Sequence, residues 1–90
     1  MATHLDAIKR MKQSEVRRAR NRHFRSRMRN QIRRVREAVA AKDTATAQEQ
    51  LRTAVSIIHS TVTKGIIHRN QAARRISRLN KAVKKLAQSA

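Results

Sequence analysis

Apolar residues recur along this chain at spacings of three and four. Phe24, Met28, Ile32, Val35 and Val39 step by four, four, three and four. At about 100° per residue they fall within a stripe roughly 80° wide on one face of a helix. Ala47, Leu51, Ala54, Ile58 and Val62 repeat the pattern, and so do Ala72, Ile76, Leu79, Val83 and Leu86. None of the three segments alternates with the period of two that a strand requires.

The breaks between the stripes carry helix-ending chemistry. The chain has no Pro and one Gly, Gly65. Around Lys42-Asp43-Thr44, either Asp43 or Thr44 can cap a new helix, and Thr46 with Glu49 has the spacing of a capping box. At Lys64-Gly65, glycine can take the left-handed conformation that terminates a helix. The pattern therefore predicts helices over about 5–41, about 45–63 and about 68–87. Three amphipathic helices joined by short loops form an all-α, up-down-up three-helix bundle.

The helices are unequal. At 1.5 Å per residue the first spans about 55 Å and the others about 30 Å. The shorter two can cover only the C-terminal half of the first. The first stripe indeed stops at Phe24, and further back the same face carries Arg17. We therefore expect a single domain, 1–90, in which residues 1–22 project as a basic helical arm and residues 23–90 form the bundle. Alone in water such an arm frays, because isolated helices are marginal and its charges repel.

Composition sharpens this picture. Leu, Ile, Val and Phe together are 18 of the 90 residues, and 23 Lys/Arg face five Asp/Glu for a net charge of +18. That combination lies at the threshold of disorder. Like charge also opposes compaction. A polyanionic partner is the natural complement. The absence of Cys excludes a disulfide framework, thiolate metal ligands and a Cys nucleophile. No apolar run approaches the roughly 20 residues that span a bilayer. The N-terminal residues lack the apolar core of a secretory signal, so a cytoplasmic protein is expected.

Thirteen of the Lys/Arg lie between Lys9 and Arg36. On a helical projection they flank the apolar stripe on both sides. Arg20, Arg27 and Arg34 line one flank, and Arg18, Arg22, Arg25, Arg29, Arg33 and Arg36 line the other. An ordinary solvated face mixes signs and gains from pairs four residues apart. Here only Glu15 and Glu37 interrupt the run. Arginine predominates, and its guanidinium fork matches phosphate oxygens in a bidentate way. Asn21, Ser26, Asn30 and Gln31 among them can bond phosphate, ribose or base edges.

The kind of polyanion follows from what is scarce. Reading single-stranded RNA uses aromatic stacking platforms, and the one aromatic, Phe24, sits on the core stripe. Recognition by shape and phosphate contact on folded, double-helical RNA is expected. A nucleoid-type DNA-compacting protein would also be small, basic and helical, but no recognition-helix or zinc-finger spacing supports specific DNA reading. A membrane-surface helix needs bulky apolar residues opposite its basic face, and the stretch from Lys9 to Arg22 has few.

Parts for catalysis are missing. Asp6 lies near the first helix start, and Asp43 and Glu49 near the second. His4, His23, His59 and His68 have no short metal-ligand spacing. No glycine-rich phosphate loop is present, and no nucleophile, base and orienter set can be assembled. No enzyme activity, cofactor, metal or small-molecule substrate is expected, and no homo-oligomer.

Two stretches resemble a known family. The first runs Lys9-Arg10-Met11-Lys12-Gln13-Ser14-Glu15, through Arg17-Arg18-Ala19-Arg20-Asn21, to Arg25-Ser26-Arg27-Met28-Arg29. The second is Lys64-Gly65-Ile66-Ile67-His68-Arg69-Asn70, then Ala72-Ala73-Arg74-Arg75 and Ser77-Arg78-Leu79. In order and spacing they resemble the bacterial small-subunit ribosomal protein S-twenty family over nearly the whole chain. The second stretch is the more specific. The resemblance implies a three-helix bundle with a long basic first helix. It also implies direct binding to small-subunit ribosomal RNA beside other ribosomal components, and an assembly role in the cytoplasmic ribosome.

The RNA contacts it implies are Lys9, Arg10, Lys12, Arg17, Arg18, Arg20, Asn21, Arg22, Arg25, Ser26, Arg27 and Arg29 in the first helix, which the flank reading extends to Arg33 and Arg34. In the second motif they are Lys64, His68, Arg69, Asn70, Arg74, Arg75, Ser77 and Arg78. Leu5-Asp6 stands where the family often has Lys-Ser, and His59 to Thr63 is more polar than the usual stretch. His68, Arg69 and Asn70 fall at the first turn of the third helix, where free backbone N–H groups favour phosphate.

Overall fold

The computed structural model describes residues 4–89. Three helices account for nearly all of them: α1, His4–Ala40; α2, Thr44–Thr63; and α3, Arg69–Ser89. The expected boundaries hold to within one or two residues, and the first three residues of the expected arm lie outside the described residues.

The core is built from the expected stripes. Met28, Ile32, Val35 and Ala38 of α1 pack against Ala47, Ala54 and Ile58 of α2 and Ala72, Leu79 and Val83 of α3. Leu51, Val62, Ile76 and Leu86 lie half-buried around this cluster. Alanines at Ala47, Ala54 and Ala72 let the helices approach closely, and Met28, Val35 and Ile58 supply the fully buried bulk. α1 packs most extensively on α2 and least on α3.

Two polar residues share the core. Gln31 is 4 % exposed and reaches across to α2, its Nε2 donating to Gln50 O at 3.1 Å and to Gln50 Oε1 at 2.6 Å. The burial is tolerable because both ends of the amide are used, Arg34 donating to Gln31 Oε1 at 3.5 Å. Thr61 is likewise buried, and its hydroxyl donates to Ile57 O at 2.8 Å within its own helix. By sequence Gln31 counts among the groups free to touch nucleic acid. The structure corrects this: the side chain sits one step off the apolar stripe and fixes α1 against α2.

Both turns close with the same hydrogen-bond pattern. After α1, Asp43 N–H donates to Ala38 O and Lys42 N–H to Val39 O, both at 3.0 Å, with Lys42 at φ 57. After α2, Ile66 N–H donates to Thr61 O at 3.2 Å and Gly65 N–H to Val62 O at 2.9 Å, with Gly65 at φ 74. These are Schellman motifs, which satisfy the last carbonyls of a helix through one left-handed residue. Glycine takes that conformation without strain, whereas Lys42 bears a cost.

Asp43 is the cap of α2. Its carboxylate accepts from Thr46 N–H at 3.2 Å and from the Thr46 hydroxyl at 2.7 Å. Thr46 is therefore the third helical residue, bonded back to Asp43, rather than the start of a box with Glu49. The same two bonds, the hydroxyl's first, hold the Asp43 carboxyl below its ordinary pKa.

Candidate nucleic-acid interface

The unequal helices produce an elongated molecule, 66 Å along its longest axis and 21 Å by 14 Å across. Every described residue of α1 before Asn21 is exposed. Asn21 and Phe24 are half-buried, and Met28 is the first buried residue. The N-terminal half of α1 thus overhangs the bundle.

Charge is segregated among the helices. α1 carries thirteen Lys/Arg and α3 carries seven, while α2 carries only Arg52, balanced by Glu49. Packing then distributes the two flanks of α1. Arg27 and Arg34 border α2, sharing a groove with Thr53 and Ile57. Arg25 and Arg29 face the turn and α3, sharing a cavity with Ile66 and Arg75. Of the α3 cations, Arg75 thus meets the second flank of α1, while Lys81 and Lys84 border His59 of α2, and the first flank looks toward a neutral helix.

That second flank forms a shallow groove lined by Ser14, Arg17, Arg18, Asn21, Arg22, Arg25, Ser26 and Arg29. Side chains three and four apart on a helix are neighbours, and like charges at that spacing cost about 0.2–0.5 kcal/mol per pair. The groove alternates these cations with short hydrogen-bonding side chains. A row of guanidinium forks with hydroxyl and amide groups between them suits a phosphodiester backbone. On the overhang, Lys12, Arg17 and Arg20 gather around Gln13 and Val16. Lys9, Arg10 and Arg33 are exposed as well, Arg33 donating to Asn30 Oδ1 at 2.9 Å.

The second motif surrounds the turn after α2. Lys64 Nζ donates to Ser60 Oγ at 2.9 Å and lies 4.9 Å from the centroid of the Phe24 ring. Phe24 also meets the His23 ring edge-on at 5.3 Å. The single aromatic, expected in the core, is instead half-buried outside the hydrophobic cluster, with Lys64 and His23 at its ring. Lys64 retains further N–H donors but is held in place by both contacts.

His68 differs from expectation. It precedes α3 rather than lying in its first turn, and it caps that helix. The Asn70 backbone N–H donates to His68 Nδ1 at 3.1 Å, and Ala72 N–H donates to His68 O at 3.1 Å. This bond occupies Nδ1 as an acceptor, and the residue is exposed. Arg69, Asn70, Arg74, Ser77 and Arg78 are exposed along α3, while Arg75 is half-buried toward α1.

Two features escaped the sequence reading. Lys81 and Lys85 continue the Arg74–Arg78 row at steps of three and four, a signal present in the spacing. Leu5, Met11 and Val16 of the overhang are 64–76 % exposed, and Ile8 is 36 % exposed. By helical projection they lie about 100–160° from the centre of the core stripe, spread over a broad face. They share no continuous period with Phe24 and do not extend the core stripe. No described helix is long and apolar enough to cross a membrane, and no described group of His, Asp and Glu is placed to hold a metal.

Similarity to known proteins runs over nearly the whole chain. The family model for ribosomal protein S20 matches residues 2–84. The small ribosomal subunit protein bS20 of Helicobacter hepaticus is 51% identical over 90 residues, covering 100% of both chains. Its counterpart from Geotalea uraniireducens is 54% identical over 86 residues, covering 96% of this chain and 99% of its own. That from Geotalea daltonii is 52% identical over 87 residues, covering 97% and 100%.

Proposed function

The chain belongs to the ribosomal protein S20 family, and on that premise we propose that it binds small-subunit ribosomal RNA directly through Arg and Lys contacts to phosphate and ribose. It is a structural protein and not an enzyme. Its work is to neutralise and hold together folded RNA during assembly of the small subunit, beside other ribosomal components in the cytoplasm.

The observation that carries the reading is the segregation of charge. α1 and α3 carry nearly all the cations and meet at Arg25, Arg29 and Arg75, while α2 stays neutral. RNA lies along α1 and α3, and α2 faces away from it. Residues 1–22 act as the arm and 23–90 as the bundle. Free in solution the arm's like charges repel, and RNA phosphates relieve that repulsion. Contacts along the α1 groove run through Arg17, Arg18, Asn21, Arg22, Arg25, Ser26 and Arg29, with Lys9, Arg10, Lys12 and Arg20 on the overhang. Arg27, Arg33 and Arg34 extend the reach of α1 around its outer side. At the second motif, Lys64, His68 through Nε2, Arg69, Asn70, Arg74, Arg75, Ser77 and Arg78 complete the surface.

A salt-matched competition experiment tests the proposal. The labelled chain is bound to small-subunit ribosomal RNA and challenged with random duplex DNA. Ribosomal RNA should be retained over DNA by about three orders of magnitude, within the usual range of specific recognition. Equal affinity for the two would reduce the protein to a general polyanion binder and overturn the reading.

A further inference from the structure

α1, the Gly65 turn and α3 meet around a partly enclosed cavity of about 150 Å³. Arg25 and Arg29 line it from α1, Gln71 and Arg75 from α3, with Met28 and Ile66 among its apolar walls. Arg25 is oriented toward the turn, donating to Ile66 O at 3.5 Å. Arg75 is unusual: its Nε is buried and has no hydrogen-bond partner. A buried donor left unmade is costly, and more so on a charged group. No carboxylate lines the cavity. The acidic residues of α1 nearest in sequence are Glu15 and Glu37, at least about 12 Å away along the helix at 1.5 Å per residue.

We propose that this cavity is a dedicated site for a single phosphodiester group of the RNA backbone, gripped by Arg75 and closed by Arg25 and Arg29. The inference rests on the RNA-binding reading and deepens it. A phosphodiester presents two charged oxygens, which suit the parallel N–H groups of one guanidinium fork. The terminal N–H groups of the Arg75 fork make the grip, since Nε itself is closed to solvent. Three guanidinium groups exceed the charge of one isolated ion, but they suit a strand whose neighbouring phosphates lie close by. The site also has a mechanical consequence. α1 and α3 are the helices that pack least on one another, and a phosphate held by both ties them together. RNA binding and bundle stability are thereby linked, since a ligand that binds only the folded state stabilises it.

The test uses the full ¹⁵N-labelled chain, with the arginine Nε–H signals followed by NMR while inorganic phosphate is added. Arg75, Arg25 and Arg29 should saturate together, with a midpoint about tenfold below that of Arg10 and Arg17 on the overhang, as a multidentate grip requires. In Arg75→Lys, which keeps the charge but lacks the guanidinium fork, the midpoint for Arg25 and Arg29 should rise to that of the overhang. An Arg75 signal that titrates like Arg10 and Arg17 in the wild-type chain overturns the site, whatever the variant does. A second arm adds saturating small-subunit ribosomal RNA. Phosphate should then no longer move Arg75. If RNA binds and phosphate still titrates Arg75, the cavity does not hold RNA backbone, and this inference falls while the wider RNA-binding reading stands.

Discussion

Replacing Gly65 by Ala isolates the energetic cost of one backbone conformation. Gly65 holds φ 74 in the turn that closes α2. A Cβ built there meets nothing within 4 Å, so the substitution introduces no clash with the rest of the fold. What remains is the intrinsic penalty of a left-handed L-residue, about 1–2 kcal/mol. Restricting the unfolded chain returns about 0.4–1 kcal/mol. The net loss should be about 1 kcal/mol, or about 4–8 °C in melting temperature for a domain of this size. Lys42 supplies the opposite experiment, because it occupies the matching position of the same motif at φ 57. Lys42→Gly should gain a similar amount, and the double variant should fall near wild type because the two turns are independent. Thermal and urea unfolding followed by circular dichroism measure all three. Wild-type stability in Gly65→Ala, or a loss in Lys42→Gly, would refute the reasoning.

Three further outcomes follow from the packing. Leu79→Ala should cost about 2–5 kcal/mol in urea unfolding because the side chain is fully within the core. Ile76→Ala, half-buried at the same interface, should cost clearly less, and equal losses would mean the two sites are packed alike. The lowered carboxyl pKa of Asp43 means that its contribution is present above the unfolded-state pKa and disappears as pH falls through the folded-state value. Asp43→Ala should therefore melt below wild type at neutral pH, with the gap closing in acid; a gap constant with pH would detach the cap from its charge. Ile8→Ser and Met11→Ser on the overhang should leave the melting temperature of the bundle within the usual surface range, about 0.5 kcal/mol or less. A larger loss would show that the overhang packs on the bundle.

The three helices were legible because their stripes keep one period over several turns, and because Asp43 and Gly65 punctuate them. The overhang was legible from helix length and from the end of the first stripe at Phe24. Less of the interface could be read. Gln31 looked like a surface amide because polar residues usually are, and only the facing Gln50 makes its burial favourable. The capping role of His68 depends on a ring nitrogen meeting a backbone N–H two residues on, which composition does not reveal. Lys42 has no signature of a left-handed residue. Arg75 could be counted among the cations, but its unpartnered Nε and its nearness to Arg25 and Arg29 arise from tertiary packing.

The proposal at stake is that RNA lies along the basic faces of α1 and α3 and away from α2. Its most direct test is the salt dependence of binding to small-subunit ribosomal RNA, compared for wild type, Arg18→Ala/Arg22→Ala on α1, and Arg52→Ala on α2. Each lost phosphate contact lowers the log–log slope by about 0.7–0.9. The double variant should lose roughly 1.4–1.8 from the slope, and Arg52→Ala should leave it unchanged. An unchanged slope in the α1 variant, or an equal loss per residue in Arg52→Ala, would contradict the account.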